Sequence, residues 1–195
     1  QKLDLQPIAT LGELLQVAEA VVCCGSGMLG GPPCGIVVGR SEVIDALKAS
    51  KSDFTSTISV EQSVALTATL HIYAADDRTK HQIPLLQLLS TSLENLKQRA
   101  ERLAPLLNHL DSVAVAEPIQ CESTWWQGDQ GILDAPSWAI AVEFQSETGD
   151  ARMKQLAEGS PGVLARVSDN RLLLDLRSVF PRWDQQLIAA CEESK

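Results

Sequence analysis

The sequence predicts a mixed fold, α/β passing into α+β, on three observations. Two short apolar, β-branched runs at residues 20–24 and 36–38 flank a glycine- and proline-rich loop. From Ile83, the residues Leu86, Leu89, Leu93, Leu96, Ala100, Leu103, Leu107 and Leu110 recur at alternating spacings of three and four, as in a packed helix seam. Beyond Leu110, strand patterns interleave with short helical ones, which implies a small sheet covered on one face.

Taken in order, Leu11, Leu14, Leu15 and Ala18 share one helix face, and Thr10, three residues before Glu13, is placed to cap it. Residues 20–24 read as a buried strand because the run is continuously apolar, and 36–38 as a second buried strand beyond the loop 25–35. A helix over 41–49 follows, capped by Ser41 with Glu42 in its first turn. Residues 51–59 are polar and read as a loop; 60–75 read as a helix. The seam predicts a helix from Ile83 onward, with Pro84 near its start. Pro105 removes an amide donor and crowds the preceding turn, so a kink or helix end is expected there. Strands are expected at 113–116, 138–144, 164–167 and 172–176, with helices near 151–157 and 184–191. Asp169-Asn170 makes a hairpin turn between the last two strands, since both residue types tolerate positive φ.

At 195 residues and 45% hydrophobic, the chain can bury an ordinary core: one domain, or one domain with a fragment of another. Its longest apolar runs fall far short of the ~20 residues a transmembrane helix needs, so no membrane span is expected. A net charge of -9 opposes attraction to a phosphate backbone, which makes nucleic acid an unexpected partner for this segment. The cysteines Cys23, Cys24, Cys34, Cys121 and Cys191 are odd in number, lack paired spacing and follow no secretory segment, which fits a reducing cytoplasm. No metal site is expected, because no CxxC pair or histidine stands near them and His71, His81 and His109 are scattered. The first three cysteines read as small buried hydrophobes. The chain begins at Gln1 rather than Met, and what precedes it is expected to have been processed, truncated or omitted.

The string Gly25-Ser26-Gly27-Met28-Leu29-Gly30-Gly31-Pro32-Pro33-Cys34-Gly35, followed by Ile36-Val37-Val38-Gly39-Arg40, resembles the lysine loop of the bacterial L-seryl-tRNA(Sec) selenium transferase (selenocysteine synthase) family. Further stretches resemble that family in the same order: 65–73, 83–89, 99–103, 136–141 and 162–177. The resemblance implies a fold of the aspartate aminotransferase type with pyridoxal phosphate (PLP) as cofactor. On that footing residues 1–40 are the end of a large PLP-transferase domain, 41–82 are connecting helices, and 83–195 are a small C-terminal α+β domain. A homo-oligomer is expected, with any tRNA contact made outside this acidic segment.

In the family the loop reads Ser-Gly-Asp-Lys-Leu-Leu-Gly-Gly-Pro, where the resemblance implies that the lysine forms the Schiff base and the acidic neighbour belongs to the site. Here Gly27 stands at the lysine position and Ser26 at the acidic one. Phe54 and Thr57 stand where the resemblance places arginines, leaving Lys51 as the cation of that stretch, and Thr124-Trp125-Trp126-Gln127 replaces a glycine-rich turn. No catalytic residue and no covalent cofactor are therefore expected. Gly30 and Gly31 remain as cofactor contacts by resemblance, since glycine amides approach anions closely, although a tight turn between strands is the favoured reading. Trp125 and Trp126 either stack on a ligand or divide between core and subunit contact. Arg166, Arg171 and Arg177 are expected in surface or interface ion pairs worth little individually. The leading reading is a catalytically silent family member with a scaffold or regulatory role. The alternative is the C-terminal part of an active PLP-dependent transferase or lyase whose site is completed by upstream residues or another subunit. A third is a module that retains PLP or another phosphate non-covalently.

Overall fold

A computed structural model describes residues 9–50, 57–75, 82–128 and 131–192, without the side chains of 126–133. Two compact units divide the chain, one ending at Gln87 and the other beginning at Leu88.

In the first unit, α1 (Leu11–Val17) starts at a full capping box: Thr10 Oγ1 accepts from the Glu13 amide and Glu13 Oε2 accepts from the Thr10 amide. β1 (Ala20–Cys24) and β2 (Gly35–Gly39) pair antiparallel, Val22 opposite Val37. Contrary to expectation these strands are half-buried at best, with Val22 72% and Val37 43% exposed. The reason is that the sheet has two strands, and a two-stranded ribbon leaves faces for something else to cover. α2 (Ser41–Ala49) is capped at Arg40, not Ser41, and no side chain caps it. α3 (Val60–Ala74) begins with a second capping box between Ser59 and Gln62.

The seam proves to be two helices. α4 (Pro84–Leu89) and α5 (Leu93–Leu107) are separated by Ser90–Ser92, where the Ser92 hydroxyl accepts from the Asn95 amide and restarts the helix. Pro105 lies within α5, whose last residue, Leu107, follows two residues later with Asn108 as C-cap; its missing donor costs one hydrogen bond.

The second unit holds an antiparallel sheet ordered β3-β4-β6-β5. β3 (Val113–Gly128) and β4 (Gly131–Phe144) are much longer than expected, and the stretch 123–128 belongs to β3 rather than to a turn. Its Thr and Trp residues suit a pleated strand, and they pair with 131–135 across a register shift at Trp125. α6 (Gly149–Glu158), capped by Thr148, leads to β5 (Arg166–Ser168) and β6 (Arg171–Asp175), joined by Asp169 and Asn170 at φ of 51° and 62°. α7 (Asp184–Glu192) ends the described chain. The core lies between α5, α6, α7 and one sheet face: Leu96, Ala100, Leu103 and Leu107 of the seam meet Ile140, Val142, Leu172 and Leu174. Each such buried Leu, Ile or Val contributes about 1.5–3 kcal/mol relative to exposure.

Candidate functional site

The loop between β1 and β2 is the one segment to which the sequence assigned chemistry. The β1–β2 register carries on past the strands, since the Gly25 amide donates to Cys34 O at 2.8 Å. A 3-10 turn, Gly27–Leu29, then reverses the chain, with Gly27 at φ +65° and Gly30 at φ +75°. The Gly30 amide donates to Gly27 O at 2.9 Å and the Gly31 amide to Gly25 O at 2.9 Å. A Cβ at Gly31 would lie 2.7 Å from Gly25 O, so this crossing of backbones requires glycine. The amides of the two glycines expected to contact a cofactor are thus engaged inside the loop.

Gly27 is exposed, and a Cβ placed on it would meet nothing within 4 Å. Beside it, Ser26 Oγ and Cys24 Sγ share a hydrogen bond of 3.0 Å. That hydroxyl is the main reason the Cys24 thiol sits below the ordinary cysteine range. Cys24 is exposed, not the buried hydrophobe expected, because it points to the uncovered face of the ribbon. Cys23 and Cys34 are partly buried. From α3, Gln62 Nε2 donates to Pro33 O at 3.1 Å and the Tyr73 hydroxyl to Leu29 O at 3.0 Å, while Ile83 abuts Gly30. Burial pushes the Tyr73 phenol up. Lys48, on α2, sits 3.7 Å from Asp45 at the surface.

The remaining expected positions are dispersed. Lys51, Phe54 and His81 lie outside the described residues. Thr57 is exposed, His71 is exposed near the end of α3, and His109 is bonded through Nδ1 to Pro105 O at 2.6 Å. Trp125 is half-buried with its Nε1 enclosed and unpaired; Trp126 is described only by its place in β3.

The arginines divide. Arg171 lies 3.4 Å from Glu117 in a surface pair of the expected kind, whereas half-exposed Arg166 lies 3.8 Å from the largely buried carboxylate of Asp175. Arg177 departs from expectation: it is 4% exposed and donates to Pro136 O, Leu89 O and Thr91 O at 2.5 to 3.0 Å. A guanidinium carries five donors in a fixed fork, so it can gather carbonyls that a surface ion pair cannot. The sequence reading also missed Arg99, whose Nε and Nη2 donate to Asp184 Oδ1 at 2.9 and 2.5 Å, and Arg152, buried against Cys191 O. One signal for Arg99 was available: it stands three residues after Leu96 and four before Leu103, a charged residue on the apolar face beside Ala100.

A model of the L-seryl-tRNA selenium transferase family matches residues 2–180. The L-seryl-tRNA(Sec) selenium transferase of Moorella thermoacetica is 34% identical over 179 residues, which are 91% of this chain and 38% of that protein. That of Mannheimia succiniciproducens is 33% identical over 181 residues, covering 90% and 38% respectively. The chain therefore spans less than two fifths of the length of these relatives. Among solved structures, D-glucosaminate-6-phosphate ammonia-lyase shares the fold at a TM-score of 0.55 and 17% identity, over 90% of this chain and 43% of that one.

Proposed function

The chain belongs to the L-seryl-tRNA selenium transferase family, and from that premise we propose that it is a member without covalent PLP chemistry, acting as a scaffold or regulatory component. The observation that carries this reading is Gly27. At the position where the resemblance implies a lysine, the loop has no side chain. The neighbouring residues do not fit PLP either: Ser26 offers a hydroxyl in place of a carboxylate, and the Gly30 and Gly31 amides close the loop on itself instead of facing a phosphate. No catalytic step is derived through the cofactor. A homo-oligomer in a reducing cytoplasm belongs to the same proposal, supported by the free thiols, and so does the lack of direct nucleic-acid binding, supported by the net charge of -9.

The test is incubation of the chain with PLP, followed by borohydride reduction and peptide mapping. Scattered, substoichiometric labelling of surface lysines is the expected result. A visible absorbance band that reduction fixes stoichiometrically to one lysine would overturn the proposal. One observation favours the alternative, an active transferase or lyase whose site is completed elsewhere: the matched residues are 38% of the Moorella thermoacetica protein, so most of such a protein lies beyond them.

A further inference from the structure

In the second unit, the stretch between α6 and β5 and the approach to α7 enclose a groove of about 560 Å³. Its walls are apolar: Val163 and Leu164 come from the first segment, Val179, Trp183 and Leu187 from the second. Leu164 is 88% and Trp183 43% exposed, so part of this apolar lining faces water. Ser178 and Gln186 add polar atoms, but the Ser178 hydroxyl already donates to Asp175 O at 2.9 Å. Trp183 closes a 3-10 turn, Pro181–Trp183, and that turn sets Arg182 against two rings. The guanidinium carbon lies 4.4 Å from the Phe180 ring centre and 5.0 Å from that of Trp183, and the rings themselves meet edge to face at 5.4 Å. One tryptophan thus serves both as wall of the groove and as support of the cation.

Arg182 differs from the other described arginines. Arg40, Arg99, Arg102, Arg152, Arg166 and Arg171 each pair with a carboxylate, and Arg177 gathers carbonyls. Exposed Arg182 rests on rings, with no carboxylate in reach among the described residues, although the chain's net charge is -9. We propose that the groove and Arg182 form a binding site for an apolar monocarboxylate, its hydrocarbon body in the groove and its carboxylate on the guanidinium beside Trp183. The chemistry selects that class. A groove of this volume with apolar walls is of the size that takes a small molecule with an apolar body. A single guanidinium, steadied on rings, matches a single carboxylate in forked geometry. A metal ion or an amine would meet like charge there, and a nucleotide would bring several phosphate charges to one arginine and apolar walls. Neither the groove nor Arg182 belongs to the β1–β2 loop, so the site is independent of the loss of PLP chemistry.

The experiment titrates the isotopically labelled chain with sodium decanoate and follows backbone amide NMR shifts. The expected shifts concentrate at Val163, Leu164, Val179, Trp183 and Leu187. Octanoate should give the same pattern, with affinity falling by up to about four-fold for each methylene removed. Decylamine, the same chain with its charge reversed, should bind the groove at least about five-fold more weakly than decanoate. Arg182→Gln should weaken decanoate about five-fold and leave decylamine no weaker, whereas Arg171→Gln, the same loss of charge away from the groove, should change neither. Trp183→Ala should weaken both probes. Three outcomes overturn the proposal: shifts that are absent from the groove or spread equally to exposed valines such as Val22 and Val64; decylamine binding there as tightly as decanoate; or Arg182→Gln binding decanoate as well as the wild type does.

Discussion

A Cβ added at Gly27 meets open space, so Gly27→Ala is penalised only through its φ of +65°, about 1 kcal/mol. Gly31→Ala drives a methyl against the Gly25 carbonyl at 2.7 Å and should cost about 3 kcal/mol, at the upper end for overpacking. The local opening energies of β1 and β2 amides, from native-state exchange of the two variants, check that order; equal losses would contradict the loop geometry. That position 27 is a glycine is plain in the sequence, and its match to the family's lysine is read from the register of the surrounding string. What the string could not reveal is where the Gly30 and Gly31 amides point, since that depends on the chain doubling back on Gly25.

At the scale of elements, the first turns of α1 and α5 and the Asp169-Asn170 turn are governed by neighbours three residues apart or fewer, and two of the three were readable for that reason. The Ser92 cap was readable in principle but hidden by the continuous leucine spacing around it. Contacts across long separations were not readable: Arg99 and Asp184 are 85 residues apart, and no periodicity links them. Asp184, the first residue of α7, accepts from Arg99 and from Arg102 Nη2 at 2.6 Å and is 6% exposed. Asp184→Ala strands the Arg99 guanidinium without its counter-charge and should cost about 3–5 kcal/mol in urea unfolding. A double-mutant cycle with Arg99→Ala should then recover a large part of that loss, because the second deletion removes the stranded charge.

For the whole molecule, Cys191 gives stability a dependence on alkaline pH. Burial pushes this thiol from its ordinary 9.0 up to about 11, with Arg152 pulling weakly the other way. Between those values the unfolded chain releases the proton while the folded chain retains it, so stability falls as pH rises through the window. The loss is on the order of 2–3 kcal/mol. In urea unfolding from pH 9 to 11 the wild type should lose stability relative to Cys191→Ala, which lacks the buried thiol; parallel profiles of the two proteins would contradict it. The first unit shows the limit of such reading at the same scale: valine runs suggested buried strands, whereas Val22 and Val37 are exposed, because burial depends on contacts that no local pattern specifies.

The β3–β4 ribbon behaves mechanically as a cantilever. Its root, Ala139–Val142 of β4, is laminated to β6, whereas from Ser137 toward the tip β3 is the strand that accompanies β4 among the described residues. A load applied at the tip produces its greatest bending moment where the lamination stops, and there two fasteners stand: Arg177 on the Pro136 carbonyl and Asp175 on the Ser137 hydroxyl at 2.6 Å. The buried arginine thus sits at the fulcrum, where it and Asp175 together carry the load that the overhang transmits to the sheet.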